Sequence, residues 1–237
     1  MNAVRLFIRR QSAFTLLELL VVVGLIAMAS FLLVDLGDGG KAAALKSSQA
    51  LVGNLVTAAR TKASASGCKT RLLVHADPSQ PERYLRLVVL QLARQPGSSP
   101  AEWGTTQLVF LPVGIYVVPG SLAGLANDPP SWKRSSDITA DLVSDLFANQ
   151  SLAYALEGDP VAQLWTGVAF TPNGTLAALA GGPPPKGALV ITIGRPRASG
   201  RYAVGQPPVQ LLEPPRVRGL MLSAYGVPAL LDDRSAF

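Results

Sequence analysis

Glu18 is the one charged residue between Phe14 and Val34, in a run that includes Leu19-Leu20-Val21-Val22-Val23 and Phe31-Leu32-Leu33-Val34. A carboxylate held inside an apolar span costs roughly 2.5 kcal/mol or more by membrane-insertion scales, so it normally has a partner or a task. The 21 residues of the run would form roughly 30 Å of helix, enough to cross a hydrocarbon core. Arg5, Arg9 and Arg10 precede it without an accompanying acid, and such cations stay on the cytoplasmic side, which sends the remainder outward. No basic residue lies within one or two turns downstream of Glu18. A cation would arise close by if the chain were cut before Phe14, because the new α-amino group would stand near the carboxylate. That amine would belong to the same chain or to a neighbouring subunit. The chemistry at issue is charge pairing in a low dielectric.

The other reactive side chains are few. Cys68 is the only cysteine, so no intrachain disulfide can form, and a buried, inert role is expected for it. His75 is the only histidine, which removes multi-histidine metal sites and makes any Ser-His-Asp triad depend on one residue in a strand-like segment. No phosphate-binding glycine loop, zinc spacing or nucleophile elbow is present. The Asp232-Asp233 pair near the carboxyl end is expected to be solvated. The chain is therefore not expected to be an enzyme, and no cofactor or metal is implied. One charged constellation stands out. Residues 186–237 hold seven cations, among them Arg195, Arg197, Arg201, Arg216 and Arg218, against three acids. Arginines two apart share one face of a strand, where they would meet phosphates; ordinary surface charge produces the same pattern. Pro196 between Arg195 and Arg197 is expected to interrupt strand pairing, and Tyr202 and Tyr225 to stack on bases or simply pack.

Positioning these groups falls to a 237-residue chain with 15% charged residues, 22 glycines and 19 prolines. Soluble domains carry about 25% charge, and the shortfall lies in the apolar run and in an Ala-, Leu-, Val- and Gly-rich body. The sequence pI of about 9.8 overstates the basicity of the body. Without Arg5, Arg9 and Arg10, 18 basic residues face 15 acids. Asp35-Leu36-Gly37-Asp38-Gly39-Gly40 is expected to break or loosen a helix. A second helical stretch follows over 41–66, with an apolar face through Leu45, Leu51, Val52, Leu55, Val56 and Ala59, and Gly67 as its stop. Strands are expected at 69–74, 84–93, 107–118, 163–171, 188–193 and 217–224, and a short helix at 138–149. Pro172-Asn173-Gly174 is turn chemistry, and the Pro-Gly-rich loops read as punctuation within one sheet-rich body. The fold class expected is α+β: a long amino-terminal helix, membrane-embedded in its first half, on a mainly antiparallel sheet. The divisions expected are 1–13, 14–36, 37–66 and 67–237.

Ala13-Phe14-Thr15-Leu16-Leu17-Glu18, after its basic leader, resembles the processing motif of type IV prepilins and pseudopilins. The resemblance implies that a prepilin peptidase cuts after Ala13 and methylates the amine of Phe14. It implies that Glu18 then assists assembly by pairing with a neighbour's amine. The family usually has glycine where this chain has Ala13, so cleavage is expected to be slower. Ala58-Ala59-Arg60-Thr61-Lys62-Ala63, the following strand, and Phe170-Thr171-Pro172-Asn173-Gly174 are similar to H-type minor pseudopilins and T-type minor pilins. Some T-type minor pilins capture DNA through an arginine-rich end with a Gly-Arg-x-Arg run like Gly194–Arg197. The implied protein is a minor filament or pseudopilus subunit with other pilin-like subunits, the peptidase and the inner membrane as partners. Its leader would be cytoplasmic and its body periplasmic or extracellular. Two other readings compete. In one, a conventional signal is cleaved at Ala27-Met28-Ala29 and releases a soluble β-rich binding protein beginning at Ser30. In the other, a plain signal anchor holds the chain.

Overall fold

Leu45, Val52, Leu55, Val56, Ala59 and Ala63 recur at helical spacings, and all six are buried. They form the inner stripe of α1 (Leu16–Ser66). The computed structural model describes residues 16–95, 102–118, 146–147, 150–179, 181–198, 207–211 and 217–232; side-chain surroundings are described from Gly40 onward, Leu211 excepted. The chain divides into two compact units, Met1–Gly40 and Lys41–Phe237. The helix assignment passes through Asp35–Gly40, where the glycines predict a break. Glycine tolerates helical dihedrals at a cost of about 1 kcal/mol each against alanine, and here that cost does not end the helix. Gly67 does end it, in the left-handed conformation at φ 64°, which favours glycine after a last turn. Among the described residues no helix is long and apolar enough to cross a membrane. The run Phe14–Val34, on which that expectation rests, lies outside the residues whose side chains are described.

The body holds two antiparallel sheets where the sequence predicts one. Sheet 1 is built from β1 (Thr70–His75), β2 (Leu87–Ala93), β3 (Trp103–Phe110), β5 (Ser151–Tyr154), β6 (Gln163–Phe170) and the short β7 (Leu176–Ala177). Its order is β3-β2-β1-β6-β5, with β7 against β6. Sheet 2 contains β4 (Ile115–Val118), β8 (Ala188–Pro196), β9 (Val209–Leu211), β10 (Val217–Leu222) and β11 (Pro228–Leu231). Its order is β11-β10-β8-β4, with β9 on β8. The expected strand 107–118 is two strands, one in each sheet. Pro112 lacks an N–H and Val113-Gly114 turn the chain, so the ladder cannot continue. The strand expected from Tyr84 starts at Leu87, because Tyr84 and Arg86 close turns onto Gln80 and Arg83. Leu85, buried at φ 55°, donates its N–H to His75 O and accepts from Val117 N, which stitches the two sheets together. Strand β8 runs three residues beyond expectation: Pro196 stands opposite Val209 at the ladder's end, where a missing donor is tolerated. The Pro172-Asn173-Gly174 turn forms as expected, with Gly174 N–H donating to Thr171 O. The helix expected at 138–149 lies outside the described residues except for Leu146 and Phe147, which are buried in a turn.

Sheet 1 is covered on both faces. Leu72, Val74, Val88, Leu90, Val168 and Phe170 point inward and share one core with the stripe of α1 and with sheet 2. Their alternate neighbours Leu73, Leu87, Val89 and Trp165, joined by Leu156, form a second, smaller core on the outer face.

A polar group fastens the helix to sheet 2. Gln49, 1% exposed, donates its Nε2 to Gly219 O and Leu231 O at 2.9 Å each, and its Oε1 accepts from Arg218. Gly219 and Leu231 face each other across β10 and β11, so one amide closes the end of that ladder. Gln49→Leu keeps the volume but leaves two carbonyls without their donor, and a loss of about 2 kcal/mol is expected. Denaturant titration of the full-length chain in detergent reads this directly. Thr57→Ala on the exposed side of the same helix should move the midpoint little.

Candidate functional site

The residues singled out at the amino terminus divide by position. Ala13 and Phe14 precede the described residues, whereas Glu18 lies in the helical backbone of α1.

Of the arginines expected as a phosphate patch, Arg195, Arg197 and Arg218 lie among the described residues. Arg195, exposed on β8, donates Nε and Nη2 to Gln210 Oε1 at 3.2 and 2.9 Å. Arg218 on β10 is bridged to Gln49 and, at 2.6 Å, to Asp232. Arg197 is half-buried and its backbone N–H donates to Pro208 O. Arg201 and Arg216 lie outside the described residues. Arg195 and Arg218 are thus each engaged by the chain's own side chains. Asp232 is the exposed carboxylate expected of it.

A constellation absent from the sequence reading occupies the outer face of sheet 1. Thr70–His75 is buried throughout, and alternation turns Arg71, Leu73 and His75 to that face. Arg71 is 6% exposed, and its Nε donates to Gln91 Oε1 at 2.6 Å. Its guanidinium carbon lies 4.2 Å from the ring centre of Trp103 and 4.3 Å from that of Tyr154. Burial pushes its pKa down to about 10, against the opposing pull of the Tyr154 hydroxyl. It remains charged at neutral pH, held between two aromatic faces rather than by a carboxylate. Four residues on, His75 is fully buried, with Nε2 2.6 Å from Gln163 Oε1 and the ring edge-on to Trp165 at 4.9 Å. The groups that act on the His75 ring are Gln163, Trp165, Asp77, Arg83 and Asp159, which is a packing and charge environment rather than a Ser-His-Asp arrangement. Cys68 is buried, as expected. Beside His75, Arg83 and Asp159 pair at 2.9 Å on the rim of an open cleft of about 300 Å³ floored by Leu87, Leu108, Phe110 and Leu156. An Arg–His alternation inside an otherwise apolar strand was the one signal for this face.

Burial pushes the His75 imidazole pKa down, with Gln163, Asp77 and Asp159 pulling it up and Arg83 pushing it further down. The unfolded chain therefore binds a proton at His75 more readily than the folded one. The stability tied to neutral His75 is complete above pH 6.5 and drains away as pH falls below that value. The expected slope is at most about 1.4 kcal/mol per pH unit. Melting curves of the full-length chain between pH 7 and pH 5 should show it, and His75→Gln should flatten it.

Residues 8–34 match the family model described as the prokaryotic N-terminal methylation motif. No curated protein and no solved structure matches the chain.

Proposed function

We propose that the chain is a type IV pilin-like subunit, made as a prepilin, processed by prepilin peptidase and held in the inner membrane until it enters a filament. The observation that carries this is the methylation motif over residues 8–34, with Glu18 as the lone charge of its apolar run. An α+β body with one amino-terminal helix on antiparallel sheets agrees with it. In this reading, cleavage after Ala13 frees the amine of Phe14, which is methylated. The run Phe14–Val34 stores the subunit in the membrane. Glu18 draws it to the amine of a neighbouring copy, and the body faces outward as a structural rather than catalytic surface. The role is that of a minor or specialised subunit of a pilus-like or pseudopilus filament, which suits a 237-residue chain with long Pro-Gly-rich loops.

The mass and amino-terminal sequence of the mature chain, recovered from membranes, test the proposal. A methylated Phe14 is the expected result. A start at Ser30 would replace the filament subunit by a secreted β-rich protein, and an intact Met1 would leave a plain anchor.

A further inference from the structure

Two surfaces of the body are complementary and lie on opposite sides of sheet 1. From Lys41 to Lys69 the chain carries five cations and no acid. The inner stripe of α1 is buried, which leaves Ala43, Ser47, Ala50, Asn54, Thr57 and Thr61 on the solvent side, and Lys46 and Lys62 are exposed at its flanks. The result is a narrow basic ridge of small side chains. Across the sheet, the outer-face cleft exposes Leu108 by 50% and Phe110 by 48%. Its surroundings have the other sign. Glu157 and Asp159 line the cleft with Arg83, which Asp159 already pairs, while Arg86 is drawn away to Leu111 O. Strand β3, which forms the cleft's outer wall, is an edge strand with no charged residue or proline over Trp103–Phe110. Proteins ordinarily protect a long apolar edge with such residues or cover it.

We propose that this cleft docks the solvent ridge of α1, around Lys46–Lys62, of a second copy of the chain. The bulky Leu108 and Phe110 meet small side chains that permit close approach, and the carboxylates around them meet the flanking lysines. The two surfaces differ and lie on opposite faces of one sheet, so the contact is heterologous. It leaves a free ridge and a free cleft at the two ends of every pair, and repetition extends the assembly without closing it. The inference rests on the filament reading for the presence of neighbouring copies in one membrane, and it adds which faces of the bodies touch.

The test uses the full-length chain in its own membranes, in a Cys68→Ser background. Two differently tagged copies are co-expressed, one with Lys62→Cys and the other with Glu157→Cys, and treated with a short bismaleimide. The expected product carries both tags, at about five-fold or more over a control in which Asp232→Cys replaces Glu157→Cys. In a second pair, reporter cysteines at Thr57 and Thr105 are joined by charge changes. Glu157→Lys in one copy should cut the mixed product several-fold, and Lys46→Glu with Lys62→Glu in the other copy should restore it. Absence of a mixed product above the control, or loss without restoration, overturns the docking. The mass of the amino terminus in the same samples reads the filament assignment separately, since a Phe14 start without mixed product would sink the docking alone.

Discussion

Gly167→Ala is expected to unfold the body near physiological temperature, although it adds a single methyl group. Gly167 lies in β6, opposite Leu73 of β1, at the centre of sheet 1, and its N–H donates to Gln150 O. A Cβ at this position would fall inside the envelope of the Leu72 carbonyl oxygen and come within 3.0 Å of Leu73 Cα. These are backbone atoms of a paired strand, so no side chain can rotate aside. Either β1 and β6 part, or the sheet loses its register between two cores that depend on it. Overpacking costs 1–3 kcal/mol where side chains can adjust, and about 3 kcal/mol or more is expected here, a fall of roughly 10 °C in Tm. Gly53→Ala in α1 is the matched control. Its methyl would meet Leu220 and Leu230 side chains at 3.5 and 3.9 Å, ordinary contact distances. Alanine is also the better helix former by about 1 kcal/mol, so that variant should be neutral or stabilised. Thermal melts of both full-length variants in one detergent decide the matter; equal melting points would show that sheet 1 yields at Gly167.

The contrast between those two glycines marks where sequence reasoning held and where it ran out. The second half of α1 was legible because its apolar residues repeat at helical spacing and face a single core, and Gly67 stopped it as turn chemistry requires. The sheets were harder. Segments such as Leu87–Ala93 are buried on both faces, so they read as nearly continuous apolar runs with little alternation to tell one face from the other. The second core under Leu156, the stacking of Arg71 between Trp103 and Tyr154, and the cleft beside them all follow from that hidden alternation. Gln49 carries no local signal, because its partners Gly219 and Leu231 lie far away in the chain. The amino-terminal motif was legible for the opposite reason. Its signal is local, a single charge in an apolar run behind a basic leader, and it needs no tertiary partner to be seen.

Glu18→Gln is expected to leave the chain processed and inserted but absent from filaments. The change keeps the side chain's size and its polar oxygen, and it makes the run Phe14–Val34 more apolar, so membrane storage should improve rather than fail. In the proposed reading, recognition by the peptidase depends on the basic leader and the Ala13-Phe14 bond, which the variant retains. What it removes is the charge. An ionised carboxylate in hydrocarbon carries a penalty of roughly 2.5–3.5 kcal/mol, and that penalty is relieved when a cation approaches. In this reading the relief occurs only on assembly, when the methylated amine of a neighbour's Phe14 reaches Glu18. The unassembled subunit is thereby raised in energy and the assembled one is not, and the difference draws subunits into the filament. A neutral amide has neither the penalty nor the pairing, so the bias disappears. At 1.4 kcal/mol per factor of ten, its loss should lower incorporation on the order of a hundred-fold. The measurement is the ratio of subunit in the sheared surface fraction to subunit in membranes, with the amino-terminal mass taken from both. Processed chain accumulating in membranes and missing from the surface fraction is the expected pattern. Glu18→Asp keeps the charge one methylene short and should recover part of the incorporation. Normal incorporation of Glu18→Gln would show that charge pairing at Glu18 does not drive assembly, and the drive would then have to come from contacts between bodies.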